Sequence, residues 1–263
     1  MKDNAHHSAV VKQLRARLRE MQRAAAPAAG ANGVSSTGVE ALDGLLAPAV
    51  FRPGMVVEWI ASGTGSGAAR LAAAMAVQAL NAGGALVVVD DRREFYPPAA
   101  VRLGLDLERT IVVRPRSRRE TVWALEQALR CRGVAATLAW IWKLPDRLFR
   151  RLQLAAEHGA GLGMFMRPVE ALRTPSWADL RWLVQAAPGG GHEEAIAMEV
   201  GFTEAALNNG KDPSGRRVRV ELVHCREGTP GEAVELEIDD ETGAVRVVSP
   251  LAAAARVFRA AGA

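Results

Sequence analysis

Val56 to Met75 reads VVEWIASGTGSGAARLAAAM: an apolar run, a glycine-rich turn and the start of a small-residue helix. In that order they aim turn amides and the positive end of a helix at an anion, the arrangement that holds phosphates. Ser62, Gly63, Thr64, Gly65, Ser66 and Gly67 supply the loop. Nucleotide hydrolysis then requires a lysine reaching the outer phosphates and a Ser or Thr hydroxyl on Mg²⁺. Ala68 and Ala69 stand at those two places and offer neither charge nor ligand. The stretch therefore reads as a degenerate phosphate-binding loop, with no catalytic residue left in it. Arg70 reads either as a charge for a bound phosphate or as a solvated helix position. The loop amides, with Ser62, Thr64 and Ser66, leave room for weak nucleotide or anion binding, and no resident cofactor is expected.

The elements that must position this loop alternate between strand and helix. A helix is predicted from Thr37, with Glu40 completing a capping box, through VEALDGLL. PGMVVEWIA is a strand, and Ala68 to Asn81 is the helix behind the loop, stopped by Gly83 and Gly84. ALVVVDD is a nearly continuous apolar run ending in acids, as in a buried parallel strand whose C-terminal end meets a site. TIVVRP, a helix from Arg119 to Arg132, ATLAWIW, a helix from Leu148 to His158 and the strand GLGMFMRP follow. This alternation predicts an α/β fold with a mainly parallel sheet. AIAMEVGF, VRVELVH, AVELEID and AVRVVS instead alternate apolar and polar residues, with DDETG as a hairpin turn, so antiparallel strands are expected at a C-terminal edge.

Val10, Leu14, Leu18 and Met21 form an amphipathic helical stripe, followed by the linker AAAPAAGANG. The chain thus divides into an N-terminal helix and linker (1–33), a core with its antiparallel extension (34–250) and a tail helix (251–263). The N-terminal stripe reads either as a helix packed on its own core or as a surface offered to a neighbouring subunit. A chain of 263 residues, 49% hydrophobic and 24% charged, can bury a sizeable core. A net charge of +4 permits contact with an anionic partner and excludes a strongly polybasic protein. Cys131 and Cys225 lie far apart, fit no metal spacing and read as reduced thiols. His6, His7, His158, His192 and His224 converge on no metal or nucleophile pattern, so no metal site is expected. MKDNAHHSAVVKQ lacks an apolar signal core and no window has the length of a membrane span; a cytoplasmic location, without membrane contact, is expected.

Over about residues 35 to 170 these segments resemble the RecA recombinases. SSTGVEALDGLL and FRPGMVVEW resemble the lead into the RecA phosphate loop. LNAGGALVVVDDRREFYPPAAVRLGLDLERTIVVRP resembles the next strand, turn and strand. RLFRRLQLAAEHGAGLGMFMRP and VELEIDDETGAV resemble a narrower group, the ImuA proteins, related to RecA and to the SulA division inhibitors. That resemblance implies a RecA-like P-loop fold and a damage-inducible (SOS) accessory role in DNA repair and mutagenesis by translesion synthesis. It implies work beside ImuB, a polymerase-like adaptor, and an error-prone polymerase. It also implies that the N-terminal helix self-associates or captures RecA, since RecA proteins dock such a helix on the next subunit.

The departures from the RecA pattern agree with one another. Aligned without a gap from Asp90 to Pro97, the glutamate that activates the attacking water is replaced by Arg92, which cannot act as that base. The Mg²⁺-binding strand carries no acid in LAWIWK, and the γ-phosphate-sensing strand ends Met166-Arg167-Pro168. ATP hydrolysis is therefore not expected. The rival readings are an active DNA-dependent ATPase, recombinase-like, using unorthodox residues, and a SulA-like division inhibitor. Arg114, Arg116, Arg118 and Arg119 form the densest cationic run and are the first candidates for phosphate contacts on DNA. Arg147, Arg150 and Arg151, and Arg216, Arg217 and Arg219, form two more runs. The short gap KLPDR, where RecA carries a DNA-binding loop, implies that DNA binding is weak.

Overall fold

In the computed structural model, residues 36–47, 50–187, 215–226, 230–239 and 244–248 are described. The amphipathic stripe Val10–Met21, the strand AIAMEVGF and the tail at 251–263 lie outside them. The strands are β1 (Val56–Ala61), β2 (Ala85–Val89), β3 (Thr110–Val113), β4 (Val134–Trp140), β5 (Leu162–Pro168), β6 (Leu180–Ala186), β7 (Gly215–Cys225), β8 (Ala233–Asp239) and β9 (Val245–Val247). They form a single sheet in the order β3-β2-β4-β5-β1-β6-β7-β8-β9. Pairing is parallel from β3 to β6 and antiparallel from β6 to β9. The expected α/β architecture with an antiparallel edge is therefore present.

The helices are α1 (Glu40–Asp43), α2 (Ala68–Asn81), α3 (Pro97–Arg102), α4 (Arg118–Arg130) and α5 (Asp146–Gly159). Strand alternation sends β1 side chains to two cores. Val57 and Trp59 join Leu71, Met75 and Leu80 of α2 on one face. Val56 joins Leu125 and Leu129 of α4 and Phe149 and Leu152 of α5 on the other. Helix α2 occupies the span that the sequence predicts. Its run of alanines lets the helix backbone lie close to the sheet, with Ala68, Ala72, Ala73 and Ala76 all buried.

Two local expectations are corrected. The helix predicted from Thr37 begins at Glu40, with Val39 as its N-cap and no capping bond from a side chain. The carboxylate of Asp43 takes that work from the other end: Oδ1 accepts from Thr37 N at 2.7 Å and Oδ2 from Ser36 Oγ at 2.6 Å. Thr37 Oγ1 is left to donate to Val39 O. The second correction is β6, absent from the sequence reading. It lies beside β1 in the middle of the sheet and joins the parallel half to the antiparallel half. Asp179 anchors it: Oδ2 accepts from Val56 N at 2.9 Å, and Oδ1 pairs with Arg52.

Candidate functional site

The glycine loop leaves the C-terminal end of β1 and enters α2, where an open α/β sheet presents its crevice. Gly65 and Gly67 take φ of 75° and 87°, which a side chain would resist. Gly67 has a second reason to be glycine: a Cβ there would lie 2.9 Å from Ile238 Cδ1 and 3.1 Å from Val218 Cγ1. The antiparallel extension thus packs against the loop from behind. Ser62 N donates to Val184 O at 3.0 Å, tying the loop to β6. Ser62, Gly63, Thr64 and Gly65 are exposed, whereas Ser66 and Ala68 are buried.

The cleft in front of the loop has a volume of about 710 Å³. Its walls include Ala61, Ala68, Ala69, Leu138, Trp140 and Met166, so apolar side chains occupy much of the space where a metal and phosphates would need polar ones. Arg70 is half-buried in the wall and Arg216 stands at the rim. Among the described residues, no group of three or more His, Cys, Asp or Glu side chains is placed to hold a metal.

Arg92, which the resemblance to RecA sets against the water-activating glutamate, pairs with Glu94 at 3.2 Å. Its guanidinium also stacks 4.3 Å from the ring centre of Trp142, just past the end of β4. The turn after β2 and the residues just past β4 therefore touch each other. Asp90 is buried and turns the chain after β2, its Oδ1 accepting from Glu94 N at 2.8 Å. Burial raises the Glu94 carboxyl above its ordinary range; Arg92 pulls it back, and Asp90 and Asp91 push it further up.

Arg167, at the end of the sensor strand, bonds away from the loop. Its Nε lies 3.0 Å from Glu58 Oε1, and Nη1 donates to Ile141 O at 2.9 Å. Arg181 Nε lies 2.7 Å from Glu58 Oε2, which also accepts from Ser176 Oγ at 2.8 Å. One carboxylate from β1 thus serves guanidinium groups from β5 and β6, all three nearly excluded from water. Burial and the charge of Arg181 lower the Arg167 pKa, while Glu58 opposes the shift.

The arginine runs have different fates. Arg114, Arg116, Arg118 and Arg119 are exposed between β3 and the first turn of α4, four strands away from β1 in the sheet. Ser117 caps α4 by accepting from Glu120 N, and Glu120 Oε2 accepts from Arg116 N. The run 216–219 splits between the two faces of β7. Arg216 donates from Nη1 to Gly65 O at 3.0 Å, whereas Arg219 pairs with Glu221 at 3.8 Å. Sequence reading missed Arg216 at the loop, although it shares alternation parity with buried Val218, Val220 and Leu222. It also missed Glu94 and Tyr96 on the cleft wall; only the turn after β2 brings them there.

A parallel β3-β2-β4-β5-β1 sheet, with a glycine loop at its crevice and helices on both faces, has the layout of a RecA-like core. The crystal structure of the RadB recombinase matches it with a TM-score of 0.58 at 15% identity, over 82% of this chain and 100% of that one. No family model matches the chain. Protein ImuA of Caulobacter vibrioides, in strain NA1000 / CB15N and in strain ATCC 19089 / CIP 103742 / CB 15, is 35% identical over 159 residues. The match spans 57% of this chain and 59% of those proteins, so less than two thirds of their length is represented. The cell division inhibitor SulA of Photorhabdus laumondii is 35% identical over 81 residues, 31% of this chain and 46% of that protein. The chain is thus similar to ImuA over 57% of its length and has a RecA-like fold.

Proposed function

We propose that this protein is a RecA-fold accessory factor of DNA-damage-induced translesion synthesis that acts through protein contacts and does not hydrolyse ATP. The observation that carries the non-catalytic part is the contact between Arg92 and Trp142. By the RecA resemblance Arg92 falls at the place of the general base, and Trp142 lies within LAWIWK, the stretch where a metal-binding acid would be sought. Phosphoryl transfer is catalysed almost wholly by positioning and charge neutralisation, so the joint loss of lysine, metal ligands and base removes its means. The accessory role follows from the likeness to ImuA, and an ImuB-type adaptor, RecA and an error-prone polymerase are the partners proposed on that ground. Against the SulA-like reading, the loop strand β1 is set among the parallel strands β2 to β6, all of which follow it in sequence.

Two measurements test this. Phosphate release from Mg·ATP, with and without single-stranded DNA, is expected to stay at background. Turnover approaching the ordinary enzyme range of about 1 per second, abolished by loop substitutions, would overturn the non-catalytic reading. Replacing Leu14 and Leu18 by Glu is expected to abolish self-association or capture of RecA, because an unpaired charge in an apolar contact is strongly unfavourable. A folded double variant that retains every association would show that the N-terminal stripe is not the docking surface.

A further inference from the structure

Helices α4 and α5 lie side by side on the sheet face opposite α2. Both follow parallel strands, so their first turns sit at the same end of the sheet. Arg118 and Arg119 open α4 and Arg147 opens α5, all three exposed, with exposed Arg116 just before them. Cations in a first helical turn oppose the helix macrodipole, so these residues are placed against the interest of their own helices. Among the described residues none of the four makes an ion pair. The acids of the same surface are already engaged. Glu126 is held by Arg130 and, from α5, by Arg151, each at 3.3 Å. Glu120 accepts from Arg116 N, and Asp146 Oδ1 accepts from Trp177 Nε1.

On the same stripe as Arg119, one turn further along α4, Trp123 is 47% exposed. It has no aromatic or cationic ring partner among the described residues. An indole left open beside unpaired arginines combines what binding of single strands needs: phosphate neutralisation and a flat platform for an unstacked base. An acidic protein surface would use the arginines and could also seat an apolar group on the ring, so it is the rival occupant that the test must separate.

We propose that the α4–α5 face, with Arg116, Arg118, Arg119 and Arg147 as phosphate contacts and Trp123 as a base-stacking platform, binds single-stranded nucleic acid. This surface lies apart from the degenerate cleft and goes beyond the accessory-factor reading; either can fail without the other.

The full chain is titrated with fluorescently labelled oligothymidylate over a salt series, beside a duplex and a poly-glutamate competitor. Arg119→Ala with Arg147→Ala is expected to weaken binding and to reduce the log–log salt slope by roughly 0.7 for each phosphate contact removed. Trp123→Leu is expected to weaken binding about fivefold or more with the slope unchanged, and Trp123→Phe to restore much of it. Both positions are exposed, so folding is retained, and near-ultraviolet circular dichroism verifies it. Unchanged affinity in the arginine variant, equal binding by Trp123→Leu and wild type, or poly-glutamate competing as well as oligothymidylate would each overturn the proposal.

Discussion

Replacing Glu58 by Gln removes the one negative charge from a buried cluster in which Glu58, Arg167 and Arg181 are nearly excluded from water. At an effective dielectric of about 20, the two pairs at 3.0 and 2.7 Å contribute about 5.5 and 6 kcal/mol of gross attraction. The cost of desolvating three ions and the repulsion between Arg167 and Arg181 offset most of it. The variant keeps the desolvation of both arginines and their repulsion but loses the attraction, so the net loss is expected at about 3–5 kcal/mol, typical of breaking a buried pair. Against a total stability of about 5–15 kcal/mol, that is a severe change. With a urea m-value of about 3 kcal/mol per M for a chain of this size, the midpoint should fall by about 1–1.7 M. Trp59 and Trp182, buried and stacked at 6.2 Å, report the transition by fluorescence. Replacing all three residues together by Leu, Met and Met should recover most of the loss, because an apolar cluster needs no counterion. A Glu58→Gln midpoint within about 0.2 M of wild type, roughly 0.6 kcal/mol, would refute the argument that this carboxylate holds β1, β5 and β6 together.

Two further outcomes are expected. Gly67→Ala should destabilise the fold by about 2–4 kcal/mol in thermal unfolding, since it combines a positive φ with crowding against Ile238 and Val218. Glu94→Gln should show a pH-dependent difference from wild type. The fold raises the Glu94 pKa, so its protonated form is favoured in the native state and stability from this group is lost as pH rises through the folded value. The glutamine variant should therefore gain relative stability between about pH 4 and neutrality; urea midpoints that move in parallel across that range would show that Glu94 is not desolvated.

The sequence by itself determined the parts of this protein whose signals are local. The loop from Ser62 to Gly67, helix α2 and the apolar run Ala85–Val89 are legible because glycine freedom, small-residue helices and buried parallel strands leave marks within a few residues. That Ala68 and Ala69 carry no charge or metal ligand is equally legible, since an absent side chain needs no geometry to be recognised. Only the tertiary structure decided where β6 goes. Leu180, Trp182 and Val184 alternate as a strand should, but no local pattern shows that Arg181 meets Glu58, its partner across the β1–β6 register. The contact of Arg216 with the loop, the stacking of Arg92 on Trp142 and the distance of the arginine run at 114–119 from the cleft were likewise settled by folding. Each joins residues tens to more than a hundred positions apart or depends on strand order. Local pattern fixes which face of an element a side chain takes, and strand order fixes what that face meets.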